Sequence, residues 1–283
     1  MRNLLSANLL RLKKSGLFWG LLGAMFALGA AFTLQRFWEQ MTYAEFGGLY
    51  YIDEAFFNYA MIIGIVMAVF IPLFFGTEYS DGGFRNKLAV GHSRVRVYLA
   101  HTITAVAAAI LFCLAYILAA LAIGVPLLNG GLERPVPIFL LNLTGSLVLA
   151  AAYSALFTLV ALNVRQKAVS AVACILGTLA IIFSSFYVRA RLSEPETWFN
   201  YGTDETGEVS MLEYSNDRYL RGAERAVYEF VYDFLPMTQS MQYYSSYSKE
   251  HAPQTQRMIA YAALISTLST AGGAALFRKK DLK

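Results

Sequence analysis

No Asp, Glu, Lys or Arg interrupts any of the six longest apolar runs of this sequence. The runs lie at about Leu17–Leu34, Tyr59–Phe75, Leu99–Leu128, Ile138–Leu162, Ala168–Val188 and Met258–Phe277. Their lack of charge excludes most chemistry at membrane depth. Ionisable side chains embedded in a bilayer mark ion and proton pathways, and membrane-embedded enzymes need carboxylates, histidines or paired Ser and Lys. His101, at the start of the third run, is the one titratable candidate, and it reads as a hydrogen-bonded interfacial residue.

Reactive groups are scarce elsewhere too. The 2 cysteines, Cys113 and Cys174, both fall in apolar runs and read as small packing residues rather than disulfide partners. The 3 histidines, His92, His101 and His251, have no metal-ligand spacing. There is no glycine-rich phosphate loop of the GxxxxGKS or GxxxxGKT type, no HExxH and no GxSxG. The chain by itself has no signature for binding and hydrolysing ATP, calls for no cofactor of its own, and does not read as an enzyme. Nothing in it points to nucleic acid.

What it has is hydrophobicity. Of 283 residues 57% are hydrophobic and 15% charged, whereas soluble domains carry about 25% charged residues. The apolar runs approach or exceed the roughly 18 residues that cross a bilayer, and they do not alternate as barrel strands do. The fold expected is all-α, a polytopic membrane protein with six transmembrane helices and the lipid bilayer as its medium. Ser and Thr within the spans suit helix–helix hydrogen bonds of about 0.6 kcal/mol each. Gly16, Gly20, Gly23 and Ala27 form a small-residue stripe on span one that permits close helix contact.

Lys and Arg orient the spans. One set of faces holds 14: Arg2, Arg11, Lys13, Lys14; Arg85, Lys87, Arg94, Arg96; Arg165, Lys167; and Arg278, Lys279, Lys280, Lys283. The opposite short loops hold 2, Arg36 and Arg134, and the long segment after span five the other 7. Both termini are therefore expected on the cytoplasmic side of the plasma membrane, here a bacterial cytoplasmic membrane. Residues 1–16, with Leu5, Leu9 and Leu12 at helical spacing among basic neighbours, suit an interfacial helix. A cleaved signal peptide is the alternative, but the stretch is long and amphipathic for one.

Residues 17–188 carry spans one to five, and residues 257–283 carry span six and a basic tail. Between them, 189–256 form an extracytoplasmic segment rich in acids. Its "ERAVYEFVYDFLPMTQSMQYY" places Val227, Phe230, Val231, Phe234 and Leu235 on one helical face ending at Pro236. The preceding "SEPETWFNYGTDETGEVS" reads as a turn-rich loop, with a small structured cap as the alternative.

The 76–98 segment between spans two and three holds Glu78, Asp81, Arg85, Lys87, Arg94 and Arg96. Leaving these charges at mid-bilayer costs about 2.5–3.5 kcal/mol each, so the segment faces water or protein. Its "EYSDGGFRNKLAVGHSRVRVYLA" predicts a short helix over Phe84–Val90, with Glu78 and Asp81 near its positive dipole end.

With six spans, cytoplasmic termini and this charged element, the sequence resembles the permease subunits of type-2 ABC exporters along nearly its whole length. A second match is "YDFLPMTQSMQ", similar to the outer helix such permeases place before span six. The resemblance implies that the element after span two is a coupling helix docking into a separate ABC ATPase. Phe84, Leu88 and Val90 would be apolar anchors, Arg85, Lys87, Arg94 and Arg96 steering charges, and Glu78 and Asp81 part of the same element. It further implies ATP and Mg bound by the partner ATPase, and a second permease chain, giving a homo- or heterodimer through spans one and five. Spans two and five would line the route, with the cargo an amphipathic molecule such as a peptide antibiotic, drug or lipid. The alternative is a membrane-integral sensor or scaffold that binds a ligand through its outer segment.

Overall fold

The computed structural model of the chain describes residues 1–164, 166–203, 209–244 and 252–280. Arg165, Lys249 and Lys283, counted above by charge, lie outside them, as do residues 204–208 in the stretch read as turn-rich. In chain order the helices are α1 (Arg2–Lys13), α2 (Gly16–Thr42), α3 (Ile52–Phe56), α4 (Asn58–Ser80), α5 (Gly83–Ala89), α6 (Arg94–Leu127), α7 (Val136–Asn163) and α8 (Lys167–Leu192). Strands β1 (Thr197–Thr203) and β2 (Val209–Ser215) follow, then α9 (Gly222–Phe234), α10 (Pro236–Tyr244) and α11 (Ala252–Lys279).

Six helices among the described residues are long and apolar enough to cross a membrane: α2, α4 with its lead-in α3, α6, α7, α8 and α11. Each covers one of the six apolar runs. α6 has 34 residues, about 51 Å at 1.5 Å per residue, well beyond the roughly 30 Å of hydrocarbon. Its first residue, Arg94, lies in the charged segment.

α7 packs along α11 and against α4, α2 runs along α6, and α4 also meets α8. Phe18, Phe70, Phe112 and Phe74 fill the α2–α4–α6 seam, with ring centroids 5.1–6.5 Å apart. The glycines of the small-residue stripe do not make this seam. Gly16, Gly20 and Gly23 have open space where a side chain would stand, whereas a Cβ on Gly29 would run into the Tyr116 carbonyl oxygen of α6. The close contact thus uses a glycine outside the stripe, and the stripe faces outward.

α1 also turns differently from its leucine spacing. Leu4, Asn8 and Leu12 are buried, while Leu9 is exposed. Asn8 displaces a leucine from the inner face because its side-chain oxygen accepts from Lys87, at 3.0 Å.

At the far end, away from the basic termini, the two short loops knit together. Asp53 accepts from the backbone amides of Glu133 and Arg134, at 2.9 and 3.2 Å. Its carboxylate lies 3.7 Å from the Arg134 guanidinium, both side chains being 1% exposed. Arg134 also sits over the Phe57 ring, at 4.8 Å.

The segment after α8 is more ordered than a turn-rich loop. β1 and β2 form an antiparallel hairpin, with Trp198 opposite Tyr214, so the cap alternative describes it better. α9 lies against α8 and α11. Pro236 does not end the outer helical region. Leu235 takes an extended ψ of 132°, and Pro236 opens α10, as a residue without an N–H is suited to do at a first helical position. α10 inserts among α4, α7, α8 and α9, burying Thr238, Gln239, Ser240 and Gln242 as well as Met237, Met241 and Tyr243. Its glutamines satisfy the broken joint: Gln239 donates to the Asp233 carbonyl at 2.8 Å and Gln242 to that of Tyr232 at 2.9 Å.

Gly29→Ala should lower the thermal stability of the detergent-purified protein by about 1–3 kcal/mol through overpacking against α6. Gly23→Ala, made into open space, should show no such loss within the single chain.

Candidate functional site

The segment between α4 and α6 is an elbow with two unlike faces. α4 closes with the Asp81 amide donating to the Thr77 carbonyl at 2.9 Å. Gly82 then reverses the chain at φ 67°, a left-handed conformation that glycine adopts without steric cost. α5 runs for 7 residues. A second turn through Gly91 leads to Ser93, whose hydroxyl accepts from the Arg96 amide and caps α6.

The inner face of α5 is anchored in the bundle. Phe84, 2% exposed, has its ring 4.6 Å from Tyr79, 5.0 Å from His101 and 5.8 Å from Phe277. One helical turn on, Lys87 donates to both carboxylate oxygens of Glu78, at 2.9 and 2.8 Å. Glu78 also receives the Arg11 guanidinium and stands 2.9 Å from Nε2 of His101, whose Nδ1 is 2.7 Å from the Val97 carbonyl oxygen. Arg11 reaches the Phe74 carbonyl and the Thr77 hydroxyl as well. Glu78 thus joins α1, α4, α5 and α6 at one point with only 6% of its surface exposed. Its charge is directed at these cations rather than at the start of α5.

The outer face is different. Asp81, Arg85, Asn86, Ala89 and Arg96 are exposed, and Val90 is 79% exposed. Leu88 is half-buried against the core. Arg94 donates to the carbonyls of Arg278, at 3.1 Å, and Lys280, fastening the end of α11 to the elbow. Lys280 in turn donates to the Tyr79 hydroxyl at 2.8 Å and the Leu162 carbonyl at 3.0 Å.

The residues singled out by sequence therefore separate. Asp81, Arg85, Val90 and Arg96 face solvent. Glu78, Phe84 and Lys87 face inward, Leu88 lies between, and Arg94 serves α11. Sequence reasoning missed Asn8 and Arg11 on α1, Phe277 on α11 and the inward partnership of His101. Their signal is tertiary: Arg11 and Glu78 are 67 positions apart.

Glu78→Ala should cost the protein about 3–5 kcal/mol of stability, because it leaves the part-buried Arg11 and Lys87 and the buried His101 without their shared acceptor. Arg85→Ala should change stability by no more than about 0.5 kcal/mol, being a surface substitution. Thermal unfolding of the two variants in detergent distinguishes them.

Residues 4–188 match the model of the ABC-2 family transporter proteins. No curated protein matches the chain. The matched region runs from α1 through α8 and contains the whole elbow, while the hairpin, α9, α10 and α11 lie beyond it. With more than half of its length matched and six spanning helices around this elbow, the chain belongs to the ABC-2 transporter permease family.

Proposed function

We propose that this permease works as one half of a dimer that moves an amphipathic cargo, driven by a separate ABC ATPase docking on the outer face of α5. The observation that carries the proposal is the division of α5 into an anchored face and a free one. A highly exposed valine beside exposed Arg85 and Arg96 supplies the two ingredients of a docking point, an apolar anchor and steering charge. The anchored face supplies rigidity: Phe84 and the Lys87–Glu78 pair pass a push on α5 to α4, α6 and α11 together. ATP and Mg are bound by the partner, not by this chain. In this orientation the basic termini and the elbow are cytoplasmic, and the membrane is the plasma membrane.

The dimer contact runs through α2 and α8. Gly20, Gly23, Ala24, Ala27 and Ala31 make an exposed, small-residue seam on α2, and such seams let helix backbones approach closely in lipid. The route lies along the α4–α8 seam, where α8 presents Ser170, Cys174, Thr178 and Ser185 inward. α10, packed on both helices, closes the far end of that seam and opens when the elbow drives α4. The hairpin and α9 flank this exit and meet cargo there, favouring a peptide antibiotic, drug or lipid.

Co-purification with a separate ABC ATPase from the same source tests the docking. Arg85→Glu and Val90→Asp should each weaken association about thirtyfold, the size of a hot-spot loss near 2 kcal/mol, while leaving thermal stability unchanged. Undiminished binding by both variants, or no ATPase bound by the wild type, would favour the sensor or scaffold reading. For the dimer, Ala27→Cys should give a disulfide between two copies under mild oxidation, and a monomer after oxidation would exclude the α2 seam.

A further inference from the structure

A second constellation at the basic end belongs neither to the docking face nor to the route. The joint between α1 and α2, the last turns of α4 and the first turn of α8 enclose a pocket of about 410 Å³. Leu17, Leu73 and Phe74 form its apolar wall, and Arg11, Lys14 and Lys167 its cationic rim. No carboxylate lines it among the described residues. Glu78 engages Arg11 from behind, but the ammonium groups of Lys14 and Lys167 have no hydrogen-bond or ion-pair partner among the described residues.

Two local features place this pocket at the level of lipid headgroups. Trp19 of the same joint is 53% exposed and donates its indole N–H to the Lys13 carbonyl at 2.8 Å, the posture of an interfacial anchor with one face apolar and one edge polar. The stem of Lys167 lies against Gly76, where an added Cβ would come within 2.6 Å of its Cγ. That packing holds α8's first turn close to α4, beside the rim formed by Arg11 and Lys14.

We propose that this pocket binds the headgroup phosphate of an anionic phospholipid, with Lys14 and Lys167 pairing the phosphodiester and the Leu17–Leu73–Phe74 wall receiving the start of an acyl chain. Three cations without a lining carboxylate select an anion, and an apolar wall adjoining an exposed tryptophan selects one attached to a hydrocarbon tail. Basic pockets between spanning helices on the cytoplasmic side suit this chemistry. The bound lipid would join α1, α4 and α8 through the same Arg11 that holds Glu78. The proposal rests on the membrane orientation given above but not on the ATPase, so failure of the docking test leaves it standing.

Native mass spectrometry of the full chain, released from detergent with phosphatidylglycerol, phosphatidylcholine or inorganic phosphate, tests it. Phosphatidylglycerol should be retained in preference to phosphatidylcholine. Retention should fall about thirtyfold in Lys14→Gln/Lys167→Gln, a factor of about five for each lysine, and persist in Lys14→Arg/Lys167→Arg. Equal retention of the two lipids by the wild type would overturn the proposal even if the glutamine variant fails to fold. Undiminished retention by a folded glutamine variant would overturn it too, as would inorganic phosphate displacing the phospholipid, which marks a site for the free anion.

Discussion

A single carboxylate holds the basic end of this protein together. Glu78 sits where the second spanning helix leaves the bundle, and four elements converge on it: α1 through Arg11, α5 through Lys87, α6 through His101, and α4 itself. A buried acid alone would be strongly unfavourable. Surrounded by cations, it becomes the reason an otherwise mobile seven-residue helix has a fixed attitude. Phe84 adds an apolar contact to the same face and brings in α11 through Phe277. The outer face of α5 keeps one orientation because the opposite face is held by these contacts.

The far end solves a similar problem by different means. There the buried pair is Asp53 with Arg134, and it joins two short loops rather than helices. α10 then fills the remaining opening with amides and hydroxyls whose hydrogen bonds return to the broken joint at Leu235. Buried charge fixes the helices at the basic end and the loops at the far end, whereas α10 is held by neutral polar groups, which exchange partners at lower cost than buried ions.

Much of the architecture was legible in the sequence because the bilayer enforces it. Uncharged runs of bilayer length can be little else than spanning helices, and all six fell where the runs lay. The short helix after span two was also legible, displaced by a single residue. Which way it faced was not. Phe84 and Lys87 read as docking groups because what turns them inward includes remote partners, Phe277 and Asn8. α1 was misregistered for the same reason: Asn8 takes an inner position for the sake of Lys87, and no periodicity count weighs one tertiary hydrogen bond above a leucine. α10 escaped notice as an inserted helix because its residues are polar, and the hairpin because the Gly, Asp and Glu of that stretch of sequence suit turns as well as strands.

The position of α10 carries a consequence for how the molecule is made. This helix emerges from the ribosome after α8 and before α11, yet its neighbours are α4, α7 and α8, all synthesised earlier. Its buried side chains include Thr238, Gln239, Ser240 and Gln242, so it is too polar to wait in lipid. It has to remain on the far side of the membrane until a cleft exists to receive it. α11, made after it, packs along α7 and beside α9, and its Gln254 donates to the side-chain oxygen of Gln242 in the inserted segment. Assembly of this bundle therefore includes a closing step: the first five spans form an unfinished vessel, α10 supplies its stopper, and α11 is laid down beside it.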